Sequence, residues 1–335
     1  MSTEHLHGKS ILVTGGTGTF GRAIIRRLLA IPQIRKLAVL SRDEYKQGEM
    51  MHELEYQDPR ITFFIGDVRD KARLHRAFNN VDIVVHAAAL KQVPALEYNP
   101  AEALETNVTG TRNVIEAALD RNVPRVLLIS TDKAVQPINL YGATKMCAER
   151  LAIAANSYRG AHGQTRISAI RYGNVLGSRG SIVEIIEKQR PSGVITLTDD
   201  RMTRFWIHID AVIDRVFQAL AVMDGGEVFV PKMFSTRVAD LLKSLAPECS
   251  FKIIGIRPGE KLHETIITEY EAKRTRDLGE LFVIEPEFEN WGRQDPLAQY
   301  PLLPEGVVYS SDNVEYMLGL DRIGEITKKP ISPHK

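Results

Sequence analysis

Cysteine is almost missing from this chain: two occur in 335 residues, Cys147 and Cys249, in no CxxC or CxxH spacing. A disulfide framework is therefore excluded, no metal site is expected, and a reducing, cytoplasmic compartment fits. A charge excess is missing too, since 43 basic and 42 acidic residues leave a net charge of +1. Neither nucleic acid nor an anionic membrane surface would find an electrostatic footprint here, so a small-molecule partner is expected. Long apolar runs are lacking. The stretch "VDIVVHAAAL" at residues 81–90 falls well short of the ~20 residues a bilayer span requires, and "MSTEHLHGKS" has no apolar core of a signal peptide. What is present is 44% hydrophobic and 25% charged residues, enough to bury a large core.

From residue 10 to 173, short β-branched runs alternate with longer amphipathic ones. "ILVTGG", "LAVLSR", "ITFFIGD", "DIVVHAA", "RVLLIS" and "ISAIRYG" read as strands with helical patterns between them. Strands lacking clean alternation, each followed by a helix, indicate a parallel sheet covered on both faces, hence a doubly wound α/β (Rossmann) domain over residues 1–173. Beyond that the rhythm breaks into shorter pieces. Residues 174–335 are expected to form mainly a smaller mixed lobe that closes over a substrate, ending in a loop or extended tail over 290–304.

"VTGGTGTFGR" places Gly15, Gly18 and Gly21, with Thr17, Thr19 and Phe20 between them, after the first strand and before a helix. Glycine lets backbone approach a pyrophosphate, and the helix N-terminus supplies donors. The second strand ends in "VLSRDEYK", so Ser41, Arg42, Asp43, Glu44 and Lys46 stand where a ribose-binding acid sits in NAD proteins. Cations there fit the 2′-phosphate of NADP, while Asp43 leaves NAD open. Asp67 and Val68 follow the third strand, where adenine would lie. Ala87, Ala88 and Ala89 follow the fourth, where small residues admit the cofactor.

Of ten tyrosines, only Tyr141 has a lysine four residues later, and that spacing puts Tyr141 and Lys145 on one helix face. A nearby ammonium would lower the phenol, letting Tyr141 take a hydroxyl proton while the carbon gives up hydride; Lys145 would also hold the nicotinamide ribose. Simple alcohol oxidation or 4-epimerisation needs only a hydroxyl donor where "TDK" stands. Asp132 and Lys133 therefore imply a further step. Once C4 of a hexose is a ketone, the C5 proton is acidic; a base removes it while an acid protonates the departing C6 hydroxyl. Hydride then returns to C6, giving a 4-keto-6-deoxy sugar without net redox change.

"TGGTGTFG", "SRDE", "GDVRD", "HAAALKQVP", "EYNP", "STDKA", "PINLYGATK", "RYGNVLGSRGS", "RMTRFW" and "GIRPGEKLHE" together resemble the C5-inverting UDP-N-acetylglucosamine 4,6-dehydratases that open the pseudaminic acid pathway, which are extended short-chain dehydrogenase/reductases. The resemblance covers about residues 10–286. Retaining sugar-nucleotide dehydratases have Glu where Lys133 stands, and membrane-anchored relatives usually have Met in place of Tyr141. The resemblance implies an enzyme acting on UDP-GlcNAc with NADP, assembled as a homo-hexamer. It implies Asp132 as the acid at C6, Lys133 as the base at C5 and Tyr141 as the base at the C4 hydroxyl.

Lowering a lysine from about 10.4 to near 7 costs on the order of 4 to 5 kcal/mol, and Asp132 would oppose it, so Tyr141 is an alternative base at C5. Lys91, Asn174, Val175, Arg179, Thr198, Arg204, Arg257 and Glu260 are expected to contact substrate, the arginines as forks for the diphosphate. Phe205 and Trp206 read as core. A retaining dehydratase, a 4-epimerase and an NADP-binding regulator without turnover are the alternatives.

Overall fold

The structure is a computed structural model that describes residues 2–158, 163–177, 182–288, 291–292, 296–319 and 323. Six aliphatic runs form the parallel strands β1 (Ser10–Thr14), β2 (Lys36–Ser41), β3 (Ile61–Ile65), β4 (Ile83–His86), β5 (Arg125–Ile129) and β6 (Arg166–Ile170). β1 and β4 are buried along their whole length, which is why they lack the alternation of a half-exposed strand. The helices Thr19–Leu29, Gly110–Asp120 and Leu140–Ala154 supply crossovers between them.

The mixed pieces that follow are β7 (Asn174–Leu176), β8 (Val194–Leu197), β9 (Thr203–His208), β10 (Val228–Pro231), β11 (Phe234–Arg237), β12 (Ser250–Ile253), β13 (Thr265–Ile267), β14 (Thr275–Asp277), β15 (Leu281–Ile284) and β16 (Tyr309–Ser310). The large sheet runs β14-β15-β10-β6-β5-β4-β1-β2-β3. β10 joins β6 in parallel, whereas β15 and β14 are antiparallel additions. The expected division at residue 173 is thus not a division in space: three later strands return to the first sheet. Without them β6 would expose an unpaired edge.

The remaining strands build the smaller lobe as β11-β9-β7, β12-β8 and β13-β16. Phe205 and Trp206 are buried core, as read from the sequence, and the Trp206 indole Nε1 donates to Thr236 Oγ1 at 3.0 Å. Residues 296–317 are more than a tail. Leu303 N donates to Thr275 O at 2.8 Å, and buried Tyr309 donates its hydroxyl to Met233 O at 2.8 Å. Its ring packs against Phe205, Phe282 and Tyr316 at centroid distances of 4.8, 5.4 and 4.5 Å. Aromatic pairs at such separations add stabilisation beyond their buried area, so this segment ties the lobe to the large sheet.

A second tie is ionic. Arg171, just past β6, bridges Glu149 at 2.8 Å and Glu271 at 2.9 Å, all three buried. Burial alone would lower the Arg171 pKa, but the two carboxylates outweigh it and push the pKa up. A charge taken from water in this way persists only when paired. The triad fastens the helix Leu140–Ala154 to the helix Glu269–Ala272.

Candidate active site

β1 and β4 are neighbours whose crossovers leave in opposite directions, so a crevice opens at their carboxyl ends. There the two halves enclose a cleft of about 940 Å³. Gly15 has φ +67°, and a Cβ on it would come within 2.9 Å of the Ala88 backbone. Only glycine therefore lets the loop lie against the segment after β4. Gly18 precedes the helix Thr19–Leu29, and no side chain caps that helix end. Gly15, Thr17, Gly18, Thr19, Phe20 and Gly21, the loop and first turn of that helix, line the cleft, which fits a diphosphate. Beneath it Thr14 Oγ1 accepts from Ala88 N at 3.2 Å and bonds His86 Nδ1 at 2.7 Å. Burial drives the His86 pKa down to about 3, so the ring is a neutral strut.

At the far end of the cleft lie Ser41, Arg42, Asp43, Lys46, Asp67 and Val68. Asp43 caps the helix Glu44–His52 by accepting from Lys46 N at 3.0 Å, and its carboxylate holds Lys46 Nζ at 2.6 Å. Arg42, half-exposed, stands 3.8 Å from Asp67. Glu44 departs from expectation: it is exposed on the first helical turn and outside the cleft lining, because Asp43 takes the capping position and turns the next residue outward.

Ala87, Ala88 and Ala89 line the middle of the cleft, followed by Lys91. The π-helical turn Leu104–Thr109 carries Asn107, which the sequence reading missed. Asn107 Oδ1 accepts from Leu90 N at 2.8 Å, and its Nδ2 donates to Leu90 O at 2.9 Å and Thr144 Oγ1 at 3.0 Å. It thereby locks the segment after β4 to the helix bearing Tyr141.

Thr131, Lys133, Tyr141 and Lys145 share the same cleft. Close approach is possible because a Cβ at Gly142 would sit 2.1 Å from Lys133 O; with glycine there, the helix start presses directly on the 131–134 turn. Asp132 lies just behind the surface, fully buried, with Oδ1 accepting from Thr131 Oγ1 at 2.9 Å and Lys133 Nζ at 3.0 Å. Asp132 Oδ2 has no hydrogen-bond partner. Lys133 Nζ is also 3.5 Å from Asn174 Oδ1 and 3.7 Å from Glu264. Burial by itself would lower the Lys133 pKa, but Asp132 and Glu264 outweigh it and the net direction is upward. The resting side chain is an ammonium.

Tyr141 and Lys145 also differ from expectation. Burial holds the Tyr141 phenol above its ordinary value; Lys133 and Thr131, rather than Lys145, pull the other way. Lys145 Nζ donates to Ile129 O at 2.7 Å, and burial lowers its pKa to about 8 against the opposing pull of Glu149. Desolvation dominates where the spacing had pointed to a charge–phenol effect.

The lobe side of the cleft carries Asn174, Val175, Thr198, Arg204, Arg257 and Glu260. Arg179 lies outside the described residues. Arg257 is half-exposed and 3.9 Å from Glu260. Arg204 is not a free fork: its Nη1 donates to Thr203 O at 2.7 Å and Leu262 O at 3.1 Å, and its Nη2 to Lys261 O at 2.9 Å. A buried guanidinium requires such acceptors. It pins the 261–264 segment, whose Glu264 was also missed. Residues 259–261 dock on the stretch that follows the 131–134 turn, for Asn139 Nδ2 donates to Gly259 O at 2.8 Å and Lys261 Nζ to Val135 O at 2.6 Å.

Residues 11–286 match the family described as polysaccharide biosynthesis protein. The chain belongs to that family. It is 44% identical over 313 residues, 91% of this chain and 93% of the relative, to a UDP-N-acetylglucosamine 4,6-dehydratase (inverting) of Campylobacter jejuni. It is 38% identical to a UDP-glucose 4-epimerase of Rickettsia conorii, covering 95% of each. Among solved structures, Pen from Bacillus thuringiensis superposes with a TM-score of 0.86 at 34% identity, covering 96% of this chain and 97% of that one. A dTDP-glucose 4,6-dehydratase from Streptomyces venezuelae, solved with NAD bound, gives 0.66 at 26% identity over 76% and 86%. The fold is that of the Rossmann dehydratases and epimerases, and the glycine cradle fits a nicotinamide dinucleotide. Among the described residues no helix is long and apolar enough to cross a membrane, and no group of three or more metal-ligating side chains occurs.

The Lys145 environment has a measurable signature. Its folded pKa of about 8 lies below the ordinary 10.5, so the unfolded chain binds this proton more tightly. Wild-type stability relative to Lys145→Met should therefore rise as pH climbs from about 8 to 10.5 and level off below 8. Urea denaturation across that range reads it; a difference that stays flat or falls with pH contradicts the assignment.

Proposed function

We propose that the chain is a C5-inverting UDP-N-acetylglucosamine 4,6-dehydratase, a hydro-lyase of pseudaminic acid-type sugar synthesis. The observation that carries it is the Asp132–Lys133 pair, 3.0 Å apart at the wall of the cleft that also holds Tyr141 and Lys145. An epimerase of this fold gains nothing from a second acid and base. Both gain a use when a C–H bond beside a new ketone must be broken and water expelled.

A nicotinamide cofactor held by the glycine loop and Lys145 would supply the hydride chemistry, removal from C4 and return to C6. The protein handles the protons. Tyr141 removes the C4 hydroxyl proton, and Lys145, held by Ile129 O, is placed for the ribose. Lys133 takes the C5 proton while Asp132 protonates the leaving C6 hydroxyl, so the C6–O bond breaks and a C5–C6 double bond forms. After hydride return to C6, the C5 carbanion takes, on the opposite face, the proton that Tyr141 had removed from the C4 hydroxyl, and Tyr141 is again a phenolate. Water is the only net loss. Before the elimination Lys133 must give up its resting proton and Asp132 must hold one; the pair ends as ammonium and carboxylate.

Arg42, Ser41 and Lys46 at the adenosine end favour NADP, since a guanidinium there matches a 2′-phosphate. Lys91, Asn174, Thr198, Arg257 and Glu260 are the side chains offered to the UDP-sugar, Arg257 being the arginine with an exposed fork.

Incubation with UDP-GlcNAc in heavy water, followed by NMR, tests the reaction. The expected product has lost the C6 oxygen, carries one solvent deuteron at C5 and has the L configuration; a C4 epimer, or a product with D configuration at C5, would sink the reading. For the cofactor, Arg42→Ala should weaken NADP binding about tenfold or more and leave NAD nearly unchanged. Equal loss for both, measured by fluorescence titration, would remove the case for NADP.

A further inference from the structure

Glu264, in the segment before β13, is 131 residues from Lys133 in sequence, yet its carboxylate lies 3.7 Å from the Lys133 ammonium. The side chain is 3% exposed and borders the cleft. Two further cations face it, Arg204 Nε at 3.9 Å and Lys261 Nζ at 3.7 Å. Its Oε2 is buried with no hydrogen-bond partner. The structure invests much in placing it: its own N–H donates to Ser311 Oγ at 2.9 Å, Ser311 N returns a bond to its carbonyl at 2.8 Å, and Arg204 clamps the carbonyls of Lys261 and Leu262. A buried carboxylate left short of a hydrogen bond is costly.

We propose that Glu264 is a positioning residue for the elimination step, its charge deciding whether Lys133 keeps or releases the proton exchanged at C5. The inference rests on the dehydratase reading above. Lys133 is flanked by Asp132 on its own turn, Tyr141 on the adjoining helix, Lys91 beyond β4, Arg204 on β9 and Glu264. Of the two carboxylates, Asp132 must carry a proton to protonate the C6 hydroxyl. Glu264 is then the remaining anion able to hold Lys133 as ammonium. Burial raises the Glu264 pKa, against the pull of Lys133. With Glu264 neutral, the Lys133 amine is free to act; with Glu264 ionised, the ammonium is retained. One proton is thus exchanged between Lys133 and Glu264, no bond to carbon being involved.

The test compares wild type, Glu264→Gln and Glu264→Asp by two readouts. In protein labelled with [ε-13C]lysine, the Lys133 signal is identified by its loss in Lys133→Met and titrated without substrate. The expected result is a fall of at least one pH unit in Glu264→Gln and little change in Glu264→Asp. With UDP-GlcNAc in heavy water, the alkaline-rising limb of C5 deuterium uptake should move to lower pH in Glu264→Gln by the same amount. An unmoved Lys133 titration, or a slower enzyme whose pH limb stays in place, overturns the proposal and leaves Glu264 a packing residue. Absence of C5 uptake by the wild type would overturn the dehydratase reading instead, while the Lys133 titration still reports on Glu264.

Discussion

Two carboxylates and three cations, gathered and largely buried where the carboxyl end of β5 meets the lobe, set the conditions for everything else in the cleft. Asp132 and Glu264 bracket Lys133, while Arg204 and Lys261 flank Glu264. Charges at these separations interact by several kcal/mol at an effective dielectric near 20, far more than they would in bulk water. Such a set cannot be rearranged one member at a time: a proton moved at one atom changes the affinity of every other. That coupling suits a reaction in which a proton must leave carbon and another reach oxygen while the hydride is away from the sugar.

The fold supplies the enclosure. β5 delivers Asp132 and Lys133 to the crevice that opens between β1 and β4, and the missing side chain of Gly142 lets the next helix bring Tyr141 against them. The segment carrying Glu264 is fastened from the other side through Asn139, Val135 and Arg204. Two elements distant in the chain thereby share one wall. The Arg171 triad and the Tyr309 aromatic cluster join the halves.

Much of this was legible in the sequence, for identifiable reasons. A strand covered on both faces must be apolar throughout, so β1 to β6 stood out as aliphatic runs, and the glycine loop was visible because backbone contact with Ala88 tolerates no Cβ. The return of β10, β14 and β15 to the large sheet was not legible, since edge pairing depends on which neighbour is exposed and not on local pattern. Glu264 was hidden likewise: within "KLHE" it looks like any solvated acid, and its burial comes from Arg204, Lys261 and Ser311 arriving from elsewhere. The spacing of Tyr141 and Lys145 gave their shared face correctly, but the sign of the phenol shift depends on depth of burial, which spacing does not encode.

The central claim is that hydride lifted from C4 is kept by the enzyme and laid down at C6 of the same sugar while the charged set removes water between. Conversion of UDP-GlcNAc bearing deuterium at C4, followed by NMR and mass analysis of the product, tests it most directly. The account predicts one deuterium in the product methyl group and none at C4. Deuterium retained at C4, or washed out to solvent with no label at C6, would contradict it.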